Sequence, residues 1–138
     1  MEHEQILKEY ELSRSQLELY QQNLELIDGR LSELRMIDNA LDEIKDTNKN
    51  NEMLVPVGGD TFIKASIIDP ENVIVGVGAS VAVKKTIGDA KEDIGDKIAE
   101  LEKVRADHTS NLEKLISKLR ELEPSVQSIV SQATKKGD

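Results

Sequence analysis

Cysteine and tryptophan are absent from the 138 residues, and the chain has only one Phe, two Tyr and three Pro. Without Cys there can be no disulfide framework and no thiolate metal site, which fits a reducing compartment. With so few rings, the large side chains that build dense cores and ligand pockets are missing, and an enzyme is not expected. No apolar run approaches the roughly 20 residues needed to cross a bilayer, and no basic-then-apolar leader opens the sequence. The expectation is a soluble, cytoplasmic protein with no membrane partner. Positive charge is also scarce, the net formal charge being −9, and the deficit is local. Residues 1–46 carry 12 acidic and 5 basic side chains, residues 53–85 carry 3 of each, and residues 86–138 carry 11 and 9. Such a field repels phosphate backbones, so nucleic acid is not an expected partner.

What the chain does have is apolar rhythm. In the first half, inward positions fall at Ile6, Tyr10, Ser13, Leu17, Tyr20, Leu24, Ile27, Leu31, Leu34, Ile37, Leu41 and Ile44. In the second half they fall at Ile94, Ile98, Leu101, Arg105, His108, Leu112, Leu115, Leu119, Leu122, Val126, Ile129 and Ala133. Steps alternating between three and four residues describe a helix lying along one partner in a coiled coil. The natural partner is the other half of the same chain, folded back antiparallel. Helices of about 45 residues are about 65 to 70 Å long. A compact chain of this length has a radius of gyration of only about 14 Å. The sequence therefore predicts a rod with a knob.

The knob is read from turn chemistry. Asp46-Thr47-Asn48-Lys49-Asn50-Asn51 has poor helix formers and no apolar residue, so the first helix should stop near Asp46. Strands rich in β-branched residues follow at 53–57, 61–68, 72–77 and 80–85, with turns at Gly58-Gly59-Asp60, Asp69-Pro70-Glu71 and Gly78-Ala79. Thr86 with Asp89 three residues on restarts helix as a capping box. Pro56 belongs at an edge or bulge. Pro124 should kink or break the second helix. The predicted segments are 1–46, a first coiled-coil helix; 53–85, two hairpins that drive assembly; and 86–138, a second coiled-coil helix and tip. Two isolated hairpins sharing a single Phe bury too little to stand alone, so other chains should complete their sheets. The residues expected to assemble are Val55, Val57, Phe62, Ile63, Ile67, Val73, Val75, Val77, Val81 and Val83.

Chemical sites do not survive inspection. Gly76-Val77-Gly78-Ala79-Ser80-Val81 lacks the third glycine of a dinucleotide loop and lies between strands, and the stretch to Lys84-Lys85-Thr86 lacks the second glycine of a phosphate loop. Asp89, Asp93 and Glu100 have calcium-loop spacing, but Lys91 and Ile94 replace an oxygen ligand and the turn glycine. His3 and His108 fall on the seam register without metal-ligand spacing. His108 with Arg105 reads as a buried polar break that sets helix register, beside Leu24 to Leu31, with Asp28 as a charge partner. Neither a catalytic residue, a metal ligand nor a cofactor is expected.

The order long helix, two hairpins, long helix, with Leu54-Val55-Pro56-Val57-Gly58-Gly59 and Asn72-Val73-Ile74-Val75-Gly76-Val77-Gly78 opening the hairpins, resembles the alpha subunits of archaeal prefoldins. The resemblance implies an α+β fold: a long antiparallel intrachain coiled coil with two β-hairpins at one end that join an oligomeric β-barrel platform. It also implies partners, two alpha with four beta-type subunits. Unfolded client proteins are then held at the coiled-coil tips without ATP and passed to a group II chaperonin. Ala79-Ser80-Val81-Ala82-Val83-Lys84 departs from the family's usual aromatic and acidic residues at the last strand.

Independently of the resemblance, the residues offer places for a client. Leu12, Leu19 and Leu26 recur one heptad apart, pointing away from the seam; ordinary surface leucines are the plain alternative. Ile6, Leu7, Tyr10, Val126, Ile129, Val130 and Ala133 gather near the free ends, where the helix start at Met1 has no capping residue. A different class of function, a scaffold or tether docking one folded partner, would use the same features.

Overall fold

A computed structural model describes residues 2–136. The element order is α1 (Glu2–Lys45), β1 (Glu52–Gly58), β2 (Thr61–Ser66), β3 (Asn72–Gly78), β4 (Val81–Thr86) and α2 (Ile87–Lys136). The chain divides into two compact units: a helical unit of residues 1–30 with 101–138, and a mixed unit of residues 31–100.

In the helical unit the predicted seam positions face inward. Ser13 is buried, and Ile6, Tyr10, Leu17, Tyr20, Leu24 and Ile27 from α1 are half-buried. Leu101, His108, Leu112, Leu115, Leu119, Leu122, Val126 and Ile129 from α2 are half-buried as well, whereas Arg105 and Ala133 are exposed. Pro124 does not end α2, which continues to Lys136. Proline removes the bond that the Arg120 carbonyl would accept, yet Leu122, Val126 and Ile129 hold the helix by its seam on both sides of the gap. The uncapped start expected at Met1 lies outside the described residues.

The mixed unit contains a core of Leu41, Ile87 and Ala90, with Ile44, Val73 and Ile94 packed around it. Helix α1 closes with Thr47, whose Oγ1 donates to the Ile44 carbonyl at 2.6 Å. Helix α2 opens with Thr86, whose Oγ1 accepts from the Asp89 amide at 3.1 Å, the capping geometry that the sequence suggests. Lys91 bridges to Asp42 and to Asp38, fixing the first turns of α2 against the last turns of α1. The hydrogen bond to Asp42, helped by the charge of Asp38, holds the Lys91 ammonium above its usual range.

Strands β1 and β2 form one antiparallel sheet, β3 and β4 another. The two hairpins repeat each other at an offset of twenty residues: Val55 pairs with Ile63 and Gly58 with Thr61, as Val75 pairs with Val83 and Gly78 with Val81, each with a bulge two residues before the turn. Both turns place two residues in the left-handed region, Gly59 and Asp60 in the first, Ala79 and Ser80 in the second. That is the twist a two-residue hairpin needs. Strand β2 stops at Ser66 instead of Ile68, although Ile67 extends the ladder by exchanging bonds with Asn50 and Asn51. Between the hairpins, Asp69 accepts hydrogen bonds from the Glu71 and Asn72 amides and from the Asn72 side chain. These bonds, led by the one from the Asn72 side chain, hold its carboxyl below the usual range.

Candidate functional site

Among the described residues, apolar surface is exposed mainly in two places, with Met36 and Ile37 on α1 and Ile68 between the hairpins lying outside both. The first is the strand surface of the mixed unit. A strand with one covered face shows alternating exposure. Here Met53 and Leu54 are neighbours, as are Phe62 and Ile63, and all four are exposed. Both faces of the first hairpin are therefore bare. The second hairpin is tied down on one face: Val73 packs on the helical core, Lys85 pairs with Asp93 of α2, and the Ile87 amide donates to the Glu71 carbonyl at 3.0 Å. Its other face carries Ile74, 76% exposed. Among the expected assembly residues, Val57, Phe62, Ile63, Val77, Val81 and Val83 are exposed, while Val55, Ile67 and Val75 are half-buried. Val73 is already engaged within its own chain. Met53 and Leu54 stand outside the residues expected to assemble, whereas Ile74 belongs to the apolar run Val73-Ile74-Val75 that the sequence already marks as interface-like. The signal for the first two was the uninterrupted apolar run, which leaves no polar face on the strand.

The second place is the outside of the helical unit. Leu12, Leu19 and Leu26 are 62%, 58% and 73% exposed. Val130 and Ala133 are exposed on α2, whereas Ile6, Leu7, Tyr10, Val126 and Ile129 are half-buried. A shallow depression lined by Glu2, His3, Ile6, Pro124, Ser128 and Ile129 joins the two helices there. A second groove, missed by the sequence reading, is lined by Leu19, Tyr20 and Asn23 of α1 and by Val104, Asp107 and His108 of α2. Its signal was weak, because Val104 stands one place before Arg105 in the register and looks like a chance surface residue.

The polar seam layer is not the buried break expected from the sequence. Arg105 donates from Nε to Asp28 Oδ1 at 2.6 Å, with both side chains about half exposed. Its long stem carries the guanidinium out to solvent instead of leaving it in the seam. That hydrogen bond and the charge of Asp28 raise the Arg105 pKa further above its ordinary value. His108 remains on the seam and meets Tyr20 edge to face, ring centroids 5.3 Å apart. His3 is exposed. Asp89, Asp93 and Glu100 lie within α2, where no calcium loop can form. Among the described residues, no three His, Asp or Glu side chains come together as a metal cage. No helix among them is long and apolar enough to cross a membrane.

Comparison with known proteins adds sequence and fold evidence. The family model described as "Prefoldin subunit" matches residues 13–132. The chain is 45% identical to the prefoldin subunit alpha of Methanopyrus kandleri over 87 residues, which is 63% of this chain and 55% of that protein. It is 31% identical to the prefoldin subunit alpha of Pyrococcus horikoshii over 131 residues, covering 94% of this chain and 84% of that one. The match thus spans a little over half the length of the first relative and most of the second. Among solved structures, the filamentous PFD of Methanocaldococcus jannaschii superposes with a TM-score of 0.72 at 21% identity, covering 86% of this chain and 98% of that chain. At that identity the likeness speaks for the fold: paired long helices with two small hairpins.

Proposed function

Because this chain belongs to the prefoldin family, we propose that it acts as the alpha-type subunit of a hetero-oligomeric, ATP-independent holding chaperone. Two copies join four beta-type subunits through the strand surface, and the free ends of the helical unit hold unfolded protein. Delivery to a group II chaperonin in the cytoplasm completes the cycle, with no chemical step performed by this chain. The observation that carries the reading is the partition of exposed apolar surface. In the mixed unit most of it lies on the hairpins, the first bare on both faces and the second on one, and small isolated sheets of this kind are stabilised when they are covered. In the helical unit it lies on exposed helix positions outside the seam, which stay in water without cost to the fold.

Each binding arm is weak. Burying three leucines contributes on the order of 5 to 9 kcal/mol gross, much of it offset by association and ordering costs. Several arms engaging one client give firm retention without any new contact. The test is a complex, co-expressed with a single-hairpin partner, in which every subunit lacks its free ends; here residues 1–10 and 124–138 are removed. Native mass spectrometry should show the assembly intact, and suppression of aggregation of unrelated unfolded proteins should fall several-fold. Full protection by the trimmed complex would remove the ends as the holding site. A complex that ignores unrelated clients but binds one folded protein would establish the tether instead.

A further inference from the structure

We propose that the outward face of α1 from Glu11 to Leu26, with the groove beside Tyr20, is a docking track for a basic amphipathic helix within a client chain. The inference rests on the client-holding reading above and gives that site a preferred substrate class. Three consecutive heptads repeat one pair: Glu11-Leu12, Glu18-Leu19 and Glu25-Leu26. These leucines have no part in the intrachain seam, which uses Tyr10, Ser13, Leu17, Tyr20, Leu24 and Ile27. A helix with a second apolar row at heptad spacing can pack against a second partner helix. The row from Leu12 to Leu26 is about 21 Å long at 1.5 Å per residue, matching roughly 15 residues of bound helix.

Two further observations specify the occupant. Beside the middle leucine, the groove lined by Leu19, Tyr20, Val104 and His108 measures about 480 Å³, room for one bulky apolar anchor. Its only acidic or basic lining side chain besides His108 is Asp107. Glu11, Glu18 and Glu25 are all exposed, and among the described residues none of these carboxylates takes part in an ion pair, unlike Asp28, which is held by Arg105. An occupant that brings Lys or Arg beside its leucines meets this row favourably, and one that brings Glu is repelled. A second copy of this chain would bring the same glutamates, and an anionic membrane the same sign of charge.

The experiment uses the assembled complex and two fluorescent 18-residue peptides with the same heptad leucines, one flanked by Lys and the other by Glu. Anisotropy at low salt should show the Lys peptide binding at least tenfold tighter, with the gap narrowing in high salt. Substituting Glu11→Lys, Glu18→Lys and Glu25→Lys together should reverse the order. Substituting Leu12→Ser, Leu19→Ser and Leu26→Ser together should abolish binding of both peptides, with circular dichroism checking that the helices persist. Equal binding of the two peptides, or Lys-peptide binding indifferent to charge reversal, overturns the track. Aggregation suppression with an acidic unfolded client tests the holding reading separately: a complex that protects it but does not discriminate the peptides keeps that reading and loses the track.

Discussion

In the mixed unit five apolar side chains, Leu31, Leu34, Leu41, Ile87 and Ala90, are almost wholly enclosed, whereas in the helical unit the enclosed side chain among the described residues is Ser13. The same two helices contribute to both. Two helices alone cover only the stripe where they meet, and their apolar side chains stay half in water. A third body closes the stripe, and in the mixed unit Val73 of β3 belongs to it. Stability comes from the unit with a closed core, and adaptable binding suits the unit whose seam never closes.

The largest effect is expected at the strand surface. Val75 and Val83 face each other across β3 and β4. Replacing both with Asp should dissociate the oligomer completely while most helical circular dichroism survives, and native mass reads the result directly. Next in size is the core itself. Leu41→Ala should lower stability by about 2 to 5 kcal/mol. Leu12→Ala, at an exposed position of the helical unit, should stay within about 0.5 kcal/mol. Denaturant midpoints of the two variants measure the difference between the units.

A smaller effect separates the two hairpins of the mixed unit. The first hairpin fills its left-handed turn with Gly59 and Asp60, the second with Ala79 and Ser80. Ala and Ser carry a Cβ penalty in that region that Gly avoids and Asn or Asp reduces. Ala79→Asn with Ser80→Gly should therefore raise stability by about 1 kcal/mol, visible as a higher melting temperature at unchanged native mass. No rise would mean that assembly, not turn strain, limits the second hairpin.

The order of elements was legible because each period is strong. The three-four rhythm marks both helices, the Gly58-Gly59-Asp60 and Gly78-Ala79 turns mark the hairpins, and Thr86 caps α2 as its spacing to Asp89 implies. Misses came where a side chain's length or the tertiary context overrides its position. Arg105 meets Asp28, the partner its place on the seam suggests, but its side chain is half exposed instead of buried, and Ile37 is exposed despite its place in the rhythm. Of the kink or break expected at Pro124, the break does not occur, and the helix runs on to Lys136. Ile68 read as strand but leaves the sheet at the Asp69 turn, 75% exposed. The groove beside Tyr20 was illegible because it needs Leu19 and Val104 brought together from opposite ends of the chain.

Site-specific photo-cross-linking tests the division between the units most directly. A photoreactive residue is placed in turn at Leu12, Leu26 and Val130 of the helical unit, and at Phe62, Ile74 and Val77 of the mixed unit, within the assembled complex loaded with an unfolded client. The division predicts client adducts from the first three positions and subunit–subunit adducts from the second three. Client adducts concentrated on the strands, with none from Leu12, Leu26 or Val130, would contradict it.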